Sequence, residues 1–298
     1  MAGTTAYTYQ DAALREDLLG IITNLSPTET QLLSGLGTSS ATSIRHEWLI
    51  DTLTEVKANA QLEGAAVTYH ATTDPTRLNN YTQIIKQGYQ VSDTIRATDM
   101  AGYEDRYRYE QVKAMKMWKN DAEYSLMRGS LASGQTNVAR LMRGVKASLS
   151  LITAQSGISM SETILNDYFQ LVWDNTSTMV NAVYCPMYMK RKISGFTAGS
   201  TMNLDKSDKR LINAIDIYEA DAASVVKLFA HRYVSISDTD TNYGVVCVNE
   251  DMFKVAYLRK PFLQDIATIG DATGGNVVGE LTLENHHYDC GYWADAHL

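Results

Sequence analysis

From Met100 to Gly129 the chain reads MAGYEDRYRYEQVKAMKMWKNDAEYSLMRG. Tyr103, Tyr107, Met115, Trp118, Ala122 and Leu126 fall at helical spacing on one side. Glu104, Asp105, Arg106, Arg108, Glu110, Lys113, Lys116, Lys119, Asp121 and Glu123 fill the other sides. Glu104–Arg108 at i,i+4 and Glu110–Lys113 at i,i+3 add charge pairs, and Gly129 is a plausible terminator. At ~1.5 Å per residue the predicted helix is roughly 43 Å long, beyond most globular helices. A helix of that length with charge on most sides reads as a spine crossing a flat domain.

Two strand-like runs precede it. Ile44, His46, Trp48, Ile50, Leu53 and Val56 alternate approximately, and Tyr81, Ile84, Ile85, Tyr89, Val91 and Ile95 form a second run. Between them lies a small, polar stretch with turn signals at Glu63-Gly64 and Asp74-Pro75. Residues 45–99 therefore read as a long two-stranded excursion, which is marginal in water unless it rests on a neighbour. Residues 1–44 are rich in Thr, Ser, Gly and Ala, with an apolar cluster at Leu14, Leu18, Leu19, Ile21 and Ile22. This segment reads as an arm that gains order by lying on something else.

Beyond Gly129 a weaker helix is expected near 136–152 and a clearer one over 160–174, with Ser161 as N-cap. Strands are expected at 179–185, 213–220, 224–236, 243–249 and 252–259, and in the alternating run Val277–Glu284. The class is α+β.

The chain has 298 residues, 45% hydrophobic and 20% charged, enough for a real core. A formal charge of −8 argues against a freely soluble nucleic-acid-binding module, though not against one basic face. No run approaches the roughly 20 apolar residues of a membrane span, so no membrane partner is expected. Met1-Ala2-Gly3-Thr4-Thr5 carries no secretory pattern, and Cys185, Cys247 and Cys290 read as buried free thiols. Only Pro27, Pro75, Pro186 and Pro261 occur, so no Pro-rich linker divides the chain.

Candidate chemistry is sparse. Asp238-Thr239-Asp240-Thr241-Asn242-Tyr243-Gly244 approaches a calcium loop, but Tyr243 displaces the glycine and Glu250 falls one position late, so a turn is the simpler reading. His286, His287, Cys290 and His297 could supply metal ligands, but no second cluster completes a site and a surface tail is the simpler expectation. Gly35–Ser40 lacks the lysine of a phosphate loop. No catalytic residue, metal or cofactor is assigned. Two segments are locally basic. One holds Arg128, Arg140, Arg143 and Lys146 in a stretch without acids, and the other holds Lys190, Arg191 and Lys192 with Lys206, Lys209 and Arg210. They are candidates to face DNA phosphates or a neighbouring subunit's carboxylates, against the plain alternative of a solvated face.

Several pieces resemble one family. Arg77-Leu78-Asn79-Asn80-Tyr81-Thr82-Gln83-Ile84, then Val91-Ser92-Asp93-Thr94 and Ala101-Gly102-Tyr103-Glu104-Asp105, are similar to the E-loop return and spine-helix entry of tailed-bacteriophage major capsid proteins of the Hong Kong 97 type. Pro186-Met187-Tyr188-Met189-Lys190-Arg191-Lys192-Ile193-Ser194 resembles the A-domain segment of the large podovirus-like branch. Leu258-Arg259-Lys260-Pro261-Phe262 and Gly279-Glu280-Leu281-Thr282-Leu283-Glu284 resemble its closing segment. The tail after Asn285, with His286-His287 and Trp293, departs from that pattern.

The resemblance implies an N-terminal arm (1–44), an E-loop (45–99), a P-domain spine region (100–150), an A-domain (151–264), and a closing P-domain strand and tail (265–298). It implies a major capsid protein, assembled in the bacterial cytoplasm into the icosahedral virion shell around double-stranded DNA. Its partners would be its own copies in hexamers and pentamers, with portal, scaffold and decoration proteins as further ones. Trp48, Tyr81, Ile84, Tyr89 and Arg77 are the expected interface anchors. The lysine cross-linking of some relatives is not carried over, since nothing places Lys57 or Lys86 for it. The competing readings are a decoration or tail-tube subunit and a soluble enzyme.

Overall fold

The computed structural model describes residues 30–53, 56–67, 69, 74–98, 105–154, 157–176, 178–196, 204–205, 210–211, 216–220, 223–235, 243–267 and 270–297. The apolar cluster at 14–22, the partner Glu104 and the loop residues 238–242 lie outside them.

Among the described residues the first elements are α1 (Gln31–Gly35) and β1 (Gly37–Ser40), then β2 (Arg45–Ile50), β3 (Thr76–Tyr81), β4 (Gln83–Ser92) and α2 (Asp93–Ala97). The spine is α3 (Arg106–Arg128), followed by α4 (Val145–Ser148), β5 (Leu151–Ala154) and α5 (Glu162–Thr176). Next come β6 (Ala182–Cys185), α6 (Met187–Phe196), β7 (Leu204–Asp205), β8 (Arg210–Leu211), β9 (Ile217–Ala220) and β10 (Ala223–Ala230). The chain closes with β11 (Tyr243–Val248), β12 (Phe253–Ile266), β13 (Ala272–Asn285) and β14 (Gly291–His297).

Two larger sheets carry the fold. One is four-stranded in the order β1-β12-β13-β4, and the other six-stranded in the order β5-β14-β11-β6-β10-β9. The excursion is a separate β2–β3 pair, with Trp48 opposite Leu78 and His46 opposite Asn80.

Helix α3 packs on the four-stranded sheet. Asp105 is its N-cap and accepts from the Tyr107 N–H. Ala114, Trp118, Ala122 and Leu126 form its buried stripe, and the Trp118 indole N–H donates to the Ile85 carbonyl at 3.0 Å. The Trp118 ring lies directly on Gly279 of β13, in space that any Cβ there would occupy. Gly129 ends the helix without a left-handed turn. It is needed because the segment at 142–144 crosses there: a Cβ on Gly129 would lie 2.5 Å from both the Ser125 and Met142 carbonyl oxygens.

Several expectations are corrected. The described part of the arm is not an appendage, because Leu32 and Leu36 belong to the subunit's own core. The first excursion strand stops at Ile50, and Leu53 and Val56 are fully exposed. The second strand-like run is two strands: β3 pairs with β2, while β4 leaves the excursion and pairs with β13. The helix expected over 136–152 reduces to α4, preceded by bridges Ala132–Leu141 and Gln135–Val138. The C-terminal segment is not a surface tail. It forms β14, an interior strand between β5 and β11, with Trp293 and Cys290 fully buried. The helix over α5 and its Ser161 cap agree with expectation, the Ser161 hydroxyl accepting from the Ile164 N–H at 3.4 Å.

Candidate functional site

The root of the excursion is bound to the body by buried polar groups. Asn80 carries four hydrogen bonds. Its amide donates to the Leu283 carbonyl (2.7 Å) and the Arg143 carbonyl (3.0 Å), and its oxygen accepts from the N–H groups of Arg143 (2.8 Å) and Tyr81 (2.9 Å). A buried amide satisfied on both sides fixes one local geometry. Two residues on, the Thr82 hydroxyl donates to Glu280 Oε1 at 2.7 Å. Arg140 reaches the same carboxylate at 2.9 Å and Arg259 reaches its other oxygen at 3.0 Å.

The inner face of β2 rests on the end of β13. Ser39 and His46 both reach Glu284 Oε1 at 2.5 Å, and His286 Nε2 lies 3.5 Å from Glu284 Oε2. The Trp48 indole N–H donates to the Asn285 carbonyl at 3.0 Å, and its ring lies near those of His46 and His286. Beyond this root the excursion exposes large apolar side chains among small and polar ones: Leu62, Val67 and Tyr69 are 77–89% exposed, and Leu53 and Val56 are fully exposed. A hairpin so anchored at its base leaves these apolar side chains exposed.

A second buried carboxylate, Glu123, joins three elements. It was expected among the solvent-side charges of the spine, yet it is fully buried. Its oxygens accept from the N–H groups of Leu32 and Leu33, each at 2.7 Å, and from His231 Nε2 at 2.8 Å. His231 Nδ1 accepts from the Tyr233 N–H, which leaves Nε2 as the protonated nitrogen facing the carboxylate. Glu123 therefore ties α1 and the end of β10 to the spine. No signal in the sequence sets Glu123 apart from the exposed acids of the spine.

The proposed anchors fall in different places. Trp48 and Tyr89 are placed within the subunit; Tyr89 is buried and packs edge-on against Tyr107. Ile84 is exposed on β4, Tyr81 is half-buried, and Arg77 is largely exposed beside Glu47.

Most basic candidates have internal partners. Arg128 donates to the Tyr233 and Val234 carbonyls, Arg140 pairs with Glu280, and Lys146 pairs with Asp295 under the Trp293 ring. Lys190 binds Asp216 and the Leu228 carbonyl, and Lys192 reaches Ser159 and the Tyr188 ring. The side chains of Arg143 and Arg191 make no ion pair or hydrogen bond with a described residue.

The C-terminal His and Cys residues are dispersed. His286 sits beside Glu284, the Cys290 thiol meets Asn285, and His297 is bound to Tyr168 and the Ile158 carbonyl. No group of three potential metal ligands occurs among the described residues. Burial pushes the Cys185 and Cys290 thiols up to about 12, so they stay protonated and unreactive at neutral pH. Among the described residues, no helix is long and apolar enough to cross a membrane.

Solved capsid structures share this architecture. The cyanophage A-1(L) capsid asymmetric unit matches with a TM-score of 0.69 at 12% identity, over 94% of this chain and 96% of that one. The capsid of a native GTA particle matches with a TM-score of 0.67 at 10% identity, over 99% and 100%. The Gordonia phage Cozz structure matches with a TM-score of 0.65 at 12% identity, over 98% of each chain. At such identities the likeness carries the fold alone. No curated protein matches the chain. Sequence carries the rest: the model of the family described as SU10 major capsid protein matches residues 2–294. That span leaves no room for the tail-tube or decoration readings, and the chain belongs to the SU10 major capsid protein family.

Proposed function

We propose that this chain builds the closed icosahedral shell of a tailed phage around double-stranded DNA, its copies associating as hexamers and pentamers in the host cytoplasm. Portal, scaffold and decoration proteins are its proposed further partners. The observation that carries this reading is the excursion. Its root is bound by Asn80, Thr82 and Trp48, while its apolar tip has no cover from the described residues of its own subunit. Burying a Leu or Val side chain is worth roughly 1.5–3 kcal/mol, so several at the tip contribute to holding a neighbouring copy. Arg77, Tyr81 and Ile84 are the retained contact candidates alongside the tip. Arg143 and Arg191 are retained as candidates for DNA phosphates or a neighbour's carboxylates.

Electron microscopy of the expressed full-length chain tests this. Closed thin-walled shells or capsomers are expected, and the L53S/V56S/L62S variant is expected to remain a folded monomer. A wild-type protein that stays monomeric at every concentration and salt would overturn the reading.

A further inference from the structure

Of the basic candidates picked out in the sequence, Arg128, Arg140, Lys146 and Lys190 are bonded inside the subunit. The exposed cations with a regular arrangement lie elsewhere, on the spine. Helix α3 carries six basic residues against three acidic ones, in a chain whose net charge is −8. Its acids are committed: Glu110 to Arg106 and Lys113, Asp121 to Gln87, and Glu123 to the buried junction. Arg108, Lys116 and Lys119 are exposed and make no ion pair or hydrogen bond with a described residue. At about 100° per residue these three fall within an arc of about 80°, and Arg108 to Lys119 spans roughly 17 Å. Val112, also exposed, lies between them on the same arc.

We propose that this face of α3 is the surface that meets the phosphates of packaged duplex DNA. The inference rests on the shell reading above and adds the place of contact. A duplex presents one phosphate about every 3.4 Å along each strand, so three cations fixed on a rigid helix span about five base pairs of backbone. Lysine and arginine heads there can bind phosphate without reading bases, as a protein that encloses any sequence requires. A helix held on its buried side by Ala114 and Trp118 keeps those heads at fixed spacing.

The test is duplex binding by the full-length protein, read as anisotropy of a labelled 30-base-pair DNA across a salt series. R108Q/K116Q/K119Q is compared with wild type and with the charge-matched control K86Q/K227Q/K260Q. Circular dichroism and melting establish that all three proteins fold. The expected result is at least tenfold weaker binding of the α3 variant at low salt. Its salt slope should be shallower by about 2–3, since each phosphate contact contributes about 0.9. The control should keep the wild-type slope. Equal loss in control and variant reduces the effect to net charge and overturns the proposal. So does an unchanged slope, including the case in which the α3 variant loses shell formation instead, which would assign the stripe to a neighbouring copy. Shells are scored separately by microscopy: wild-type shells with an unchanged slope sink this inference alone, whereas a lost slope without shells sinks only the assembly reading.

Discussion

At the scale of single residues, buried carboxylates organise this subunit. Glu123, Glu280 and Glu284 are all buried, and each is met by two or more donors from other elements. Removing one strands its donors in a dry interior, and breaking a buried pair costs roughly 3–5 kcal/mol. Glu123→Ala should therefore lower unfolding stability by about that amount, read by denaturant titration. It should also open the chain near Leu32 to protease before global unfolding; equal protection of that segment in wild type and variant would contradict the assignment of Glu123 as its anchor. None of this was visible in the sequence. A glutamate beside Asp121 in a charged helix has the same signature whether it faces water or two backbone N–H groups. By contrast Trp118 was legible, because its spacing with Ala122 and Leu126 is a property of the helix alone.

At the scale of elements, β14 shows how a tail becomes an interior strand. It pairs in parallel with β5 and antiparallel with β11, and α5 packs against it. Tyr168 stacks on Tyr292, and its hydroxyl meets His297 Nε2 at 2.9 Å. His297 Nδ1 faces the Ile158 carbonyl, which can only accept, so Nδ1 carries the proton and Nε2 accepts from Tyr168. Burial holds the His297 pKa below its usual value, with the Lys192 charge acting in the same direction and the Ile158 bond opposing. The unfolded chain then binds the extra proton first. The contribution is complete above the unfolded value of about 6.5 and is lost as pH falls below it. Denaturant midpoints should fall between about pH 7.5 and pH 5.5, and the fall should be smaller in H297Q. An identical pH profile in the variant would refute the assignment.

At the scale of the whole molecule, the two larger sheets share one core. Val255, Val277 and Leu281 of the four-stranded sheet belong to the same buried cluster as Tyr184, Val246 and Trp293 of the six-stranded sheet, with Trp118, Ala122 and Leu126 of α3. A shared core couples the stability of its parts. Unfolding followed by tryptophan fluorescence and by far-ultraviolet circular dichroism should give coincident transitions in the unassembled subunit, and two separated transitions would show that the sheets unfold independently. The excursion stands outside that core. Its exposed apolar side chains are the contacts proposed for assembly.

The order of excursion hairpin, long helix and mixed remainder was legible in the sequence, since turns, caps and hydrophobic periods are local properties that neighbouring residues impose on one another. The α+β class and the family followed from that order and from short motifs such as Arg77–Ile84. What only the tertiary structure decided is partnership. It paired β4 with β13 rather than with β2, drew Leu32 and Glu123 into one junction and placed β14 between β5 and β11. It also took Arg128, Arg140 and Lys146 into internal contacts while leaving Arg108, Lys116 and Lys119 in solvent. The physical reason is that a charge or an apolar side chain carries the same local signature at the surface and in a core. Only the groups brought against it from distant parts of the chain determine whether it is neutralised, buried or left for another molecule.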